Sequence, residues 1–123
     1  MRKHSPRKFL QRGALALTLV AGLLASAHAM TIREMRTLEK TEKQGSTYTD
    51  YYLVGVMEGA LEAHSQAVRA GATASICLNG RRLEPSMAKN LYTTELKRNA
   101  DLYEADMPVQ LVMVNALGTA YPC

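Results

Sequence analysis

The stretch Tyr51-Tyr52-Leu53-Val54-Gly55-Val56-Met57-Glu58-Gly59-Ala60-Leu61-Glu62-Ala63-His64-Ser65-Gln66-Ala67 decides the fold. Leu53, Val56, Ala60, Ala63 and Ala67 recur at spacings of three and four, so they share one face of an α-helix. Thr49 or Asp50 can cap its start by accepting from a free backbone N–H, and Gly71 can stop it. Alongside, Gly55, Gly59, Ala63 and Ala67 repeat every four residues and leave a strip without side chains. A mid-helix glycine costs about 1 kcal/mol relative to alanine, so the strip predicts a second backbone packed against it. Glu58, Glu62, His64 and Arg69 interrupt any apolar span, which argues against a membrane helix pair.

Working outward, Met30 to Lys43 reads as a charged helix with Ile32, Met35 and Leu38 on a narrow apolar stripe, broken by Gln44-Gly45-Ser46-Thr47. Ala72 to Leu83 is irregular, with Asn79-Gly80 as a turn. Pro85 suits the first turn of a third helix reaching about Arg98, with Ala88, Leu91, Tyr92 and Leu96 inward. A second polar connection, Asn99 to Met107, carries Asp101, Glu104 and Asp106. Val109, Val112, Met113, Ala116, Leu117 and Ala120 fit a last buried helix opened by Pro108. The β-branched run within it fits a strand as well, but no partner strand is visible elsewhere. The expected class is all-α, a small four-helix bundle.

The amino terminus carries Arg2, Lys3, Arg7, Lys8 and Arg12, then the apolar run Ala14 to Ala25, then Ala27-His28-Ala29. That is the layout of a cleavable export signal, so residues 1–29 are expected to be removed, leaving a single domain over 30–123. The full chain has fifteen Lys/Arg against eleven Asp/Glu; the five basic residues of the signal leave ten, and the net charge falls from +4 to about −1. The basic balance therefore belongs to export and argues for no nucleic acid and, after cleavage, no membrane as partner. A 94-residue domain has only a modest core. Both cysteines, Cys77 and Cys123, survive cleavage, and in an oxidising compartment an even pair is expected to bond, worth roughly 4 kcal/mol in the chain-entropy view.

Catalytic groups are sparse. One histidine, His64, remains in the domain and reads as a surface residue; it supplies neither a metal site nor a triad. Glu58 and Glu62 stand four apart, as solvated helix charges routinely do. The tyrosines at 48, 51, 52, 92, 103 and 121 suit an interface and a core equally. The expectation is no enzyme, no cofactor, no metal and no catalytic residue, with a binding role instead.

Tyr52-Leu53-Val54-Gly55-Val56-Met57-Glu58-Gly59, with Cys77 following and Ala116-Leu117-Gly118-Thr119-Ala120-Tyr121-Pro122-Cys123 at the end, resembles the Rap/Tai family of immunity proteins. The likeness runs from about Tyr51 onward. It implies a periplasmic all-α protein that binds and occludes a peptidoglycan amidase effector of the type VI secretion system, without chemistry of its own, and often as a homodimer. It also implies that Cys77 and Cys123 are the family's disulfide and Gly55 and Gly59 its packing glycines. The second cysteine pair of many relatives is absent, Tyr48-Thr49-Asp50 standing where one member would fall, and Asn79 replaces a frequent proline. Exposure and polarity point to two contact loops, Asn79, Arg81, Arg82 and Glu84, and Asn99, Asp101, Tyr103, Glu104 and Asp106. A second reading of the same features is a periplasmic stress-response or acid-chaperone-like helical protein.

Overall fold

The computed structural model describes residues 28–123, so the expected signal, residues 1–29, lies almost entirely outside the described residues. Among the described residues four α-helices make up the fold: α1 (Ile32–Thr41), α2 (Gly45–Arg69), α3 (Met87–Arg98) and α4 (Val109–Ala120), with a short 3-10 turn at Ala100–Leu102. The described residues form no strand beyond an isolated bridge between Thr31 and Pro108. The expected all-α bundle is therefore the fold, and the apolar run from Val109 is helix. The core joins Ile32 and Met35 of α1, Leu53, Val56 and Met57 of α2, Ala88 and Tyr92 of α3, and Val109, Val112, Met113 and Leu117 of α4.

Local chemistry explains the helix ends. Thr31 and Glu34 form a capping box at the start of α1, the Thr31 hydroxyl accepting from the Glu34 N–H at 3.1 Å and Glu34 Oε2 accepting from the Thr31 N–H at 2.7 Å. The Thr31 N–H and, after it, the Thr31 hydroxyl donate to Glu34 Oε2 and hold its carboxyl below the usual carboxylate range. α2 ends in a Schellman arrangement: Gly71 sits at φ 104°, its N–H donating to Val68 O and the Ala72 N–H to Ala67 O.

Three expectations need correction. α2 starts at Gly45, not at Thr49 or Asp50. A Cβ on residue 45 would overlap the Leu38 carbonyl, so this glycine lets α1 and α2 meet in a tight corner and the helix resumes at once. Thr49 is then a buried residue inside the helix, its hydroxyl donating to Glu39 Oε1 and Ser46 O at 3.0 Å. Second, Ala63 and Ala67 are exposed; the buried face runs through Thr49, Leu53, Val56 and Met57 instead. Third, α3 begins two residues after Pro85, which sits in the turn leading into it.

Candidate partner-binding surfaces

The two loops proposed as contact surfaces lie at opposite ends of α3. Its twelve residues rise about 1.5 Å each, so roughly 18 Å separates them along the axis. They are two surfaces rather than one patch.

The first loop, residues 72–86, is fastened at several points. A disulfide joins Cys77 to Cys123, and the Cys77 N–H donates to Tyr121 O at 2.8 Å. Asn79 and Gly80 both take positive φ, 52° and 78°, as a type I′ turn demands, and the Arg81 N–H closes it on Leu78 O at 3.0 Å. The Arg81 guanidinium lies over the Tyr121 ring, 4.9 Å from its centre, while its Nε donates to Leu78 O. Arg82 and Glu84 are exposed beside it. His64, read from sequence as a surface residue, is instead half-buried, and its Nε2 accepts from the Ser75 and Ile76 N–H groups at 3.0 and 3.2 Å. A histidine facing the α2 stop was the available signal; nothing in its spacing disclosed the backbone partners.

The second loop, residues 99–108, is held by a buried carboxylate that sequence reading missed. Glu95 is 4% exposed, and its Oε1 accepts from Tyr103 Oη at 2.6 Å and from Asn99 Nδ2 at 2.9 Å. Asn115 Nδ2 of α4 donates to the same tyrosine oxygen at 2.9 Å. Burial, with the Glu95 hydrogen bond adding to it, pushes the Tyr103 phenol above its ordinary range. From the other side the Ile32 and Arg33 N–H groups donate to Met107 O and Ala105 O, the Val109 N–H donates to Met30 O, and Arg33 pairs with Asp106 at 2.8 Å. Thus Asn99, Tyr103 and Asp106 are engaged in shaping the loop. Asp101 and Glu104 remain exposed, and between them stands Leu102, an apolar side chain 64% exposed.

The motif residues divide likewise. Val56, Ala116, Leu117 and Tyr121 are buried, and Tyr52 is half-buried with its hydroxyl accepting from Gln110 Nε2 at 2.9 Å. Glu58 and Pro122 are exposed. Gly55 and Gly59 depart from expectation: a Cβ on either would meet no atom within 4 Å, so no backbone of the described residues packs on them. They floor an open apolar groove of about 570 Å³ between α2 and α4, walled by Tyr51, Tyr52, Ala63 and Val114. The tyrosines split too: Tyr92 and Tyr121 are core, Tyr48 and Tyr51 exposed. Tyr92 has an unpartnered hydroxyl, and burial raises it to about 12.

Among the described residues no three His, Cys, Asp or Glu side chains gather as a metal site, and no helix is long and apolar enough to cross a membrane. What the surfaces offer is rigid display. In comparisons with known proteins, the family model described as Rap1a immunity proteins matches residues 17–123. No curated protein and no solved structure matches the chain.

Proposed function

The chain belongs to the Rap1a immunity protein family, an immunity protein for a secreted effector, and from that premise we propose that it acts in the periplasm by occluding a peptidoglycan amidase delivered by a type VI secretion system. The family match over residues 17–123 carries this reading. The amidase, the compartment and removal of residues 1–29 rest on the sequence resemblance and on the export-signal layout. The protein contributes no chemistry of its own; it covers the effector's cleft.

The loop at 99–106 suits that role. A blocking element must keep its shape while its tip displaces water from another surface, because ordering a mobile loop on binding subtracts from affinity. Here Glu95, Asn115 and the backbone N–H groups of Ile32 and Arg33 fix the loop beforehand, and Leu102 projects from it between Asp101 and Glu104. Arg81, Arg82, Glu84 and Asn79 form a second contact surface at the other end of α3. A homodimer belongs to the same proposal, on the strength of the resemblance, and sedimentation of the purified protein checks it.

The test uses the oxidised protein as bait against secreted and periplasmic extracts of the source bacterium. The expected result is recovery of a cysteine–histidine peptidoglycan amidase whose digestion of cell wall stops at one equivalent of bait. Leu102→Asp should abolish that inhibition with little change in thermal midpoint, and Arg81→Ala with Arg82→Ala should weaken it at a cost of no more than about 1 kcal/mol in stability, the size of an exposed guanidinium stack. Capture of many unrelated proteins, and only after acid treatment, would overturn the proposal in favour of a stress chaperone.

A further inference from the structure

Residues 73–76 cross from the end of α2 to the disulfide at Cys77. The bonds from the Ser75 and Ile76 N–H groups to His64 Nε2, 3.0 and 3.2 Å, are the only hydrogen bonds this segment makes among the described residues. One ring nitrogen accepts both, so it carries no proton, and the proton of the neutral ring sits on Nδ1. Protonating the ring puts an N–H on Nε2 against two other N–H groups, and both bonds are lost. Ser75 is exposed, so its N–H can turn to water. Ile76 is 7% exposed and belongs to the core, so its N–H reaches water only if the segment moves.

A positive charge on the ring finds no unengaged acid beside it. Residues 70–80 contain no ionisable side chain except Cys77, which is in the disulfide. α4, whose Gly118 passes Ser75 O, contains none at all. Beyond them Arg81, a like charge, is stacked on Tyr121. On α2, Glu62 and Arg69 pair with each other at 3.1 Å, and exposed Glu58 stands six residues back, about 9 Å along the axis. We propose that His64 is a proton-operated latch on the first loop: neutral, it holds residues 73–76 against α2, and protonated it releases them and uncovers Ile76. The hold is present above the range in which histidine takes up a proton, about pH 7 to 5, and is lost as pH falls through it. Release stops at Cys77, which stays tied by the disulfide and by its N–H bond to Tyr121 O. The latch stands whether or not the loop meets a partner.

The experiment records imidazole ¹⁵N shifts and native-state amide exchange of the ¹⁵N-labelled, oxidised protein at about pH 8 and about pH 5, the lower value still above the usual carboxylate range. At the higher pH the His64 ring should be the Nδ1–H tautomer. Protection of the Ser75 and Ile76 amides, taken relative to the unfolded chain at the same pH, should fall about tenfold or more at the lower pH, with Val112, Met113 and Leu117 unchanged. His64→Gln offers an amide oxygen that does not titrate. The pH difference should vanish in that variant, whether the glutamine keeps the two bonds or leaves the segment open at both values. An Nε2–H tautomer at the higher pH, unchanged protection on acidification, a loss spread evenly over the core, or a pH difference that survives in His64→Gln would each overturn the inference.

Discussion

The loops at the two ends of α3 are both rigid, but they are made rigid by different means. Residues 72–86 are held by a covalent bond, a stacked guanidinium and a histidine that accepts two backbone donors. Residues 99–108 are held without any covalent tie, by one buried carboxylate, a tyrosine and the backbone of the chain entering α1. A disulfide acts mainly on the unfolded chain, by shrinking its freedom, so the first loop depends on redox state and little on any single neighbour. A polar network acts in the folded state and depends on every member being satisfied. The second loop therefore has a single point of failure at Glu95, and the first does not.

The largest effect that tests this contrast comes from Cys77→Ser with Cys123→Ser. Closing a loop with a sequence separation of 46 is worth about 4 kcal/mol, so the denaturant midpoint should fall by a corresponding amount. In the native state, faster amide exchange should be confined to residues 72–86 and the C-terminus; equal acceleration at 99–106 would show that the two loops share one support. Next in size is Glu95→Ala. It strips the acceptor from the half-buried Tyr103 and Asn99 and should cost about 2–3 kcal/mol. Here amide exchange should rise at 99–106 and stay low at 72–86, the mirror image of the cysteine variant.

The same contrast marks what could be read from the sequence. The disulfide was legible because two cysteines in a chain expected to be exported leave one pairing, and the turn because Asn79-Gly80 is a local signal. The helices were legible through the spacing of Leu53, Val56, Val112 and Leu117. Glu95 was not, because a charged residue in a helix otherwise reads as solvated, and only the approach of Asn99 and Tyr103 makes burial tolerable. Tyr103 itself was selected for exposure and polarity, yet its hydroxyl is spoken for on both sides. Leu102 escaped because a leucine in a connection suggests core, whereas the 3-10 turn points it outward. Gly55 and Gly59 misled for the opposite reason: the helical cost of glycine implies a close neighbour, but nothing requires that neighbour to belong to the same chain.

The smallest expected effect lies at the outer edge of the second loop. Arg33 meets Asp106 through two hydrogen bonds, at 3.1 and 2.8 Å, which looks like a firm clasp between α1 and the loop. Both side chains are largely in water, 65% and 80% exposed, and exposed pairs are screened and lose side-chain entropy, leaving well under about 1 kcal/mol. The backbone donors of Ile32 and Arg33 make the same connection and survive removal of the side chain. Arg33→Ala should therefore leave amide exchange at 99–106 close to that of the unaltered protein, with a change in unfolding free energy below about 0.5 kcal/mol that shrinks further as salt is added. A loss as large as that of Glu95→Ala would mean that the loop is carried from outside by the ion pair, and the picture of a loop hung on one buried carboxylate would fail.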